Sequence, residues 1–144
     1  DMASAEPLTG FGAGTYQRCA RPLLMERTRE MGKERFPAVI AWAHSNLLSF
    51  LAETGAFGAF AFCFLFVLYF RGVARGLRRL ADAPGDRDFL RGFVRGSAAG
   101  VGCFLLTGCF HDTFFDGEVV FTLWFAVAAS LAAPRLAVPA GEEA

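Results

Sequence analysis

Three uncharged stretches of the chain read as spans: residues 54–70, 96–110 and 119–134. As helices rising about 1.5 Å per residue they reach about 22–26 Å, short of a hydrocarbon core of roughly 30 Å, so each must draw on its flanks. The first extends back to Leu47. The second extends back to Phe89, with Arg91 and Arg95 reaching outward to the interface, and the third starts near Asp116. Residues 54–70 are apolar all round, without the polar stripe of a surface helix. They hold nine Phe, Leu or Val side chains, which favour insertion into a bilayer by about 3–5 kcal/mol. The pattern predicts an all-α integral membrane protein. Its three transmembrane helices fall at 47–70, 89–110 and 119–134, after an N-terminal external loop, 1–46, with short helices of its own.

The polar segments set an orientation. The connection 71–88, with the start of the next span, holds Arg71, Arg75, Arg78, Arg79, Arg87, Arg91 and Arg95 against Asp82, Asp86 and Asp88. The connection 111–118 holds His111, Asp112, Asp116 and Glu118 and no Lys or Arg. The positive-inside rule places the Arg-rich loop in the cytoplasm, together with the tail 135–144. His44 and the loop 111–118 then share the opposite face.

Within 1–46, Gly10-Phe11-Gly12-Ala13-Gly14 reads either as a tight turn or as a backbone nest able to cradle a phosphate. Its spacing is not the dinucleotide fingerprint, and no strand pattern precedes it. Residues 22–35 read as a charged helix ending before Pro37. Pro84-Gly85 marks a turn. Gly92, Gly96 and Gly100 form a small-residue series that lets helix backbones approach closely, a packing feature without chemistry.

Composition agrees with the spans. Of 144 residues, 54% are apolar, 17 are Phe, and only 19% are charged. Net charge is zero, so no nucleic-acid partner is expected. Cys19, Cys63, Cys103 and Cys109 form no CxxC pair, and three of them sit in apolar runs, which reads as small buried hydrophobes. The chain opens at Asp1 without an initiator Met or a signal pattern. It is expected to be the C-terminal fragment of a larger polytopic bundle, packed against further transmembrane helices of the full-length protein.

Two clusters can carry chemistry. The first is His44-Ser45-Asn46 with Glu53, at the mouth of the first span. A near-neutral imidazole there serves as base, acid or donor to an anion. On a straight helix Asn46 and Glu53 share a face while Glu53 falls opposite His44, so Glu53 is expected to hold a neighbouring loop or helix. The second cluster is 111–118, four ionisable groups in eight residues at a membrane boundary. Its spacing matches no metal motif, and no metal or other cofactor is expected. Arg35, nine residues before His44, offers a guanidinium fork suited to phosphate oxygens.

These residues resemble the O-antigen ligase and O-antigen polymerase family of bacterial polytopic membrane proteins. Gly10-Phe11-Gly12-Ala13-Gly14-Thr15-Tyr16 is similar to the glycine-rich segment opening that family's large periplasmic loop. His44-Ser45-Asn46-Leu47-Leu48 with Glu53, Gly55 and Gly58 resembles its H-[NS]-x-x-L … E-x-G-x-x-G signature, although Asn often directly follows the His there and here Ser45 intervenes. Phe115-Asp116-Gly117-Glu118-Val119 followed by Trp124 resembles the short loop and last span in part of the family.

The resemblance implies a metal-independent membrane glycosyltransferase of the bacterial inner (cytoplasmic) membrane, acting in surface polysaccharide or lipopolysaccharide biosynthesis. It implies transfer of a glycan from an undecaprenyl-pyrophosphate carrier to lipid A–core or a growing glycan at the periplasmic face. The fragment alone is expected to lack a complete site. The family's periplasmic His falls on His44, which would activate the acceptor hydroxyl or donate to the departing pyrophosphate. Arg35, Ser45, Asn46, Glu53, Asp116 and Glu118 are the residues offered for substrate binding. Membrane lipids are the remaining expected partner. Two readings of other classes stand beside it: a transporter or channel fragment using His111, Asp112 and Asp116, and a non-catalytic membrane assembly subunit.

Overall fold

The computed structural model describes residues 5–30, 44–82, 87–111 and 113–137. These are helical, with no strand among the described residues. In chain order the elements are α1 (Tyr16–Glu30), α2 (Asn46–Asp82), α3 (Asp88–Gly108), a 3-10 turn (Thr113–Phe115) and α4 (Gly117–Ala137). α2, α3 and α4 are each long and apolar enough to cross a membrane. Phe57, Phe60, Phe89, Phe110, Phe121 and Phe125 point outward from the protein.

The helices overrun the uncharged stretches. α2 continues through Arg71 to Asp82, so most of the Arg-rich segment read as a loop is helical. Arg, Leu and Ala are strong helix formers, and nothing in 71–82 breaks the ladder. α1 starts at Tyr16, six residues before the expected start, and carries Pro22 inside it. The rest of the helix expected to run to residue 35 lies outside the described residues.

The chain forms two compact units, one of Asp1–Cys63 with Gly108–Thr113 and one of Phe64–Thr107 with Phe114–Ala144. In the first, α2 is interrupted at Gly55, whose φ of 67° and ψ of −168° are not helical. Such a break strips several carbonyls and amides of their helical partners. The N-terminal segment supplies replacements. Ala56 N–H donates to Pro7 C=O at 2.9 Å and Phe57 N–H to Leu8 C=O at 3.4 Å. Phe11 N–H donates to Ala52 C=O at 3.2 Å and Gly12 N–H to Glu53 C=O at 2.8 Å. Ala20 and Ala52 are buried beneath it, with Phe11, Tyr16 and Cys19 packed against them.

In the second unit, α4 lies against α2 at a glycine step. A Cβ on Gly72 would come within 2.8 Å of the Leu131 side chain, and one on Gly76 within 2.8 Å of Pro134. Tyr69 and Ser130 hydrogen-bond at 3.0 Å inside this contact, and Phe66 stacks on Trp124 at 6.4 Å. Leu80, Val94 and Val101 are fully buried. Arg91 donates to Leu80 C=O at 2.8 Å and pairs with Asp88 at 3.1 Å. It therefore closes the carbonyl end of α2 rather than reaching outward, because terminal helix carbonyls attract a cation.

Two packing expectations are corrected. A Cβ at Gly92, Gly96 or Gly100 would meet nothing within 4 Å, so that series makes no close helix contact among the described residues. Cys63 and Cys103 are exposed on their helices and Cys109 is exposed just after α3, so these three are not core residues, while Cys19 is half-buried against Ala20 and Ala52; all four are free thiols.

Candidate functional site

Glu53 is the organiser of the glycine-rich segment. Its side chain is 4% exposed. Gly14 N–H donates to Oε2 at 2.9 Å and Tyr16 N–H donates to Oε1 at 2.9 Å. Both carboxylate oxygens thus sit on amides at the N-terminus of α1, where the helix dipole favours an anion. This explains why α1 begins at Tyr16: its cap comes from a carboxylate 37 residues away. The segment is indeed an anion nest, and the anion in it is the protein's own. Positive φ at Gly10, Gly12 and Gly14 (64°, 102° and 73°) gives the backbone its shape.

The E-x-G-x-x-G spacing has the same local cause. Glu53 caps α1 and Gly55 breaks α2. Gly58 leaves room for the Thr54 side chain, whose hydroxyl donates back to Phe50 C=O at 2.7 Å.

Nine residues earlier the chain enters α2. His44 precedes the helix with φ 54°, a left-handed conformation uncommon outside glycine. Ser45 and Asn46 follow and are buried. Ser45 caps the helix: Leu48 N–H donates to its Oγ at 3.4 Å and Ser49 N–H to its carbonyl at 2.9 Å. Asn46 Nδ2 donates to Thr113 Oγ1 at 3.2 Å. Its amide also occupies the space that a side chain at Gly108 would need. The start of α2 is thereby tied to the segment after α3.

That tie brings together the only two histidines of the chain. The rings of His44 and His111 lie 6.4 Å apart between centres, inclined at 77°. Both side chains are exposed. Two imidazoles facing one patch of solvent can divide acid and base roles between them.

Asp116 and Glu118 belong to the second unit. Asp116 caps α4: Glu118 N–H donates to Oδ1 at 3.2 Å and Val120 N–H to its carbonyl at 2.9 Å. Glu118 is exposed on the first turn of α4 and lines a groove of about 450 Å³ with Gly100, Val101, Phe104, Thr122 and Leu123. Arg35 and Asp112 lie outside the described residues. Among the described residues, no group of three or more His, Cys, Asp or Glu side chains is placed to hold a metal.

Of the residues singled out, Glu53, Ser45 and Asp116 therefore stand as helix caps and Asn46 as a tie, while His44 is exposed. His111 is the added member of the site. It stood in the sequence as one of four ionisable groups between two spans, and nothing local distinguishes it from its neighbours. Thr113 and Gly108 gave no signal at all, since their roles exist only opposite Asn46. No family model, curated protein or solved structure matches this chain.

Proposed function

We propose that the chain is part of a multi-pass membrane enzyme that transfers a glycan from an undecaprenyl-pyrophosphate carrier to an acceptor hydroxyl at the periplasmic face. The observation that carries this reading is the convergence of His44 and His111 beside the entry to α2. The apolar outward faces of the three long helices suit a bilayer. The motif around His44, Glu53, Gly55 and Gly58, which resembles that of the O-antigen ligase family, is in keeping with this reading.

In this reading the acceptor oxygen attacks the sugar's anomeric carbon. The bond from that carbon to the pyrophosphate oxygen breaks, and its electron pair leaves with the pyrophosphate. One imidazole takes the acceptor proton. The other donates a hydrogen bond to the leaving oxygens, where negative charge develops. His44 is the base and His111 the donor. Both substrates are lipid-anchored, so positioning beside a membrane helix supplies much of the rate.

The test is transfer of lipid-linked glycan in cells carrying His44→Ala in the whole protein, with membrane insertion checked by fractionation. Loss of transfer with normal insertion is expected; undiminished surface glycan sinks the reading.

A second reading, a non-catalytic assembly subunit, is favoured by the structural employment of Ser45, Asn46 and Glu53. It predicts that Glu53→Gln, which loosens the fold, harms the assembly more than His44→Ala.

A further inference from the structure

A second polar feature lies in the other unit, where α4 crosses the glycine step of α2. A small groove of about 90 Å³ opens there, lined by Arg75 and Arg79 from α2 and Arg135 from α4, with Gly72, Gly76 and Pro134 against it. All three arginines are exposed. No acidic side chain lines the groove among the described residues. Three guanidinium groups around one hollow concentrate positive charge there, which favours an anion between them. Arg79 and Arg135 also stand in the last turns of their helices, where helix dipoles draw cations. The dipoles account for one arginine on each helix end. They do not account for Arg75, one turn further in, or for the hollow.

The shape follows from the sequence. Because Gly72 and Gly76 lack side chains, α4 comes close enough for Arg135 to reach the Arg75–Arg79 face. The groove is at the Arg-rich end of two apolar helices, the depth at which lipid phosphates lie if those helices cross a bilayer. Guanidinium forks pair with phosphate oxygens two at a time.

We infer that Arg75, Arg79 and Arg135 form a binding site for the phosphate of an anionic phospholipid headgroup. The inference rests on the membrane reading but not on glycan transfer. Its function is to fix α2 and α4 to the Arg-rich leaflet.

The test uses the protein reconstituted in vesicles of phosphatidylcholine and phosphatidylglycerol in equal parts, with a spin label on one lipid or the other. Wild type is expected to immobilise labelled phosphatidylglycerol in preference to labelled phosphatidylcholine. Each Arg→Gln change in the groove should weaken that preference about fivefold, and Arg75→Gln/Arg79→Gln/Arg135→Gln should abolish it. The comparison is Arg71→Gln/Arg78→Gln/Arg95→Gln, which removes the same charge from exposed positions that do not line the groove. It should keep most of the preference. Equal loss in the two triple variants, with helicity unchanged, overturns the site in favour of diffuse charge attraction. Displacement of the labelled lipid by inorganic phosphate in excess overturns the lipid assignment and leaves a free-phosphate site. Failure to float with vesicles of phosphatidylcholine alone rejects membrane insertion, and this inference with it, separately from any result on transfer.

Discussion

Gly10 and Gly55 meet backbone to backbone, each with a positive φ, where the N-terminal segment plugs the break in α2. A Cβ on Gly10 would lie 2.6 Å from the Gly55 nitrogen, and one on Gly55 would strike the backbone of Leu8 and Thr9. Neither side can yield, since both obstacles are main chain. Gly10→Ala and Gly55→Ala are therefore each expected to cost at least about 1–2 kcal/mol from left-handed strain alone, with the overlap in addition. Limited proteolysis should show residues 5–15 cut faster in either variant while α3 and α4 stay protected.

Glu53 holds the other end of the same segment. Glu53→Gln keeps the size of the side chain but turns one oxygen into an NH₂ group facing an amide donor. A buried charge-assisted bond is lost, worth about 1.5–3 kcal/mol. Hydrogen exchange at the Gly14 and Tyr16 amides should rise about 10- to 100-fold, the range that this energy implies. If exchange there is unchanged, Glu53 does not cap α1.

The three apolar helices were legible because charge is absent from runs too long and too uniform for a surface. The break at Gly55 was not, because an isolated glycine inside an apolar run is tolerated in a helix and its effect depends on what docks there. Glu53 was legible in part: its position opposite His44 excluded a catalytic pair and pointed to a neighbouring segment. That the neighbour is the glycine-rich loop needed the fold. The start of α1 was hidden because its cap lies 37 residues downstream. Glycine spacing shows which helix faces can approach, not which do. Gly72 and Gly76 have the same four-residue step as Gly92, Gly96 and Gly100, yet of these, among the described residues, only Gly72 and Gly76 come close enough to another helix that an added Cβ would touch it.

In the proposed reading, His44 and His111 act together only if Asn46 keeps its hold on Thr113. Asn46→Ala removes that bond and leaves a gap beside Gly108. The two histidine segments should then separate without either ring being altered. In a background without the native thiols, His44→Cys and His111→Cys are expected to join through a short bifunctional thiol reagent, and adding Asn46→Ala should lower the yield several-fold. For glycan transfer, His44→Ala is expected to cost about 10²- to 10⁴-fold, the range of one general base. Asn46→Ala should cost less, and His111→Ala should fall between. Equal transfer by all three variants rejects the division of roles.

The Tyr69–Ser130 bond shows how a hydroxyl pair sets helix packing inside the second unit. Ser130 has one proton, and its Oγ lies 3.1 Å from Val127 C=O as donor. Tyr69 must then donate to Ser130, completing a chain from Tyr69 through Ser130 to Val127. Tyr69 is 3% exposed and Ser130 is fully buried. Tyr69→Phe removes the first donor and leaves Ser130 still bonded, at a cost of about 0.5–1.5 kcal/mol. Ser130→Ala strands the buried phenol without its acceptor, at about 1–3 kcal/mol. Each change deletes a single hydroxyl, yet Ser130→Ala should destabilise more, because it leaves a buried donor unpaired. The double variant should lie close to Tyr69→Phe alone, because the stranded hydroxyl has gone. Unfolding in mixed micelles by increasing dodecyl sulfate measures all three. A Tyr69→Phe variant less stable than Ser130→Ala shows that the proton order is the opposite one.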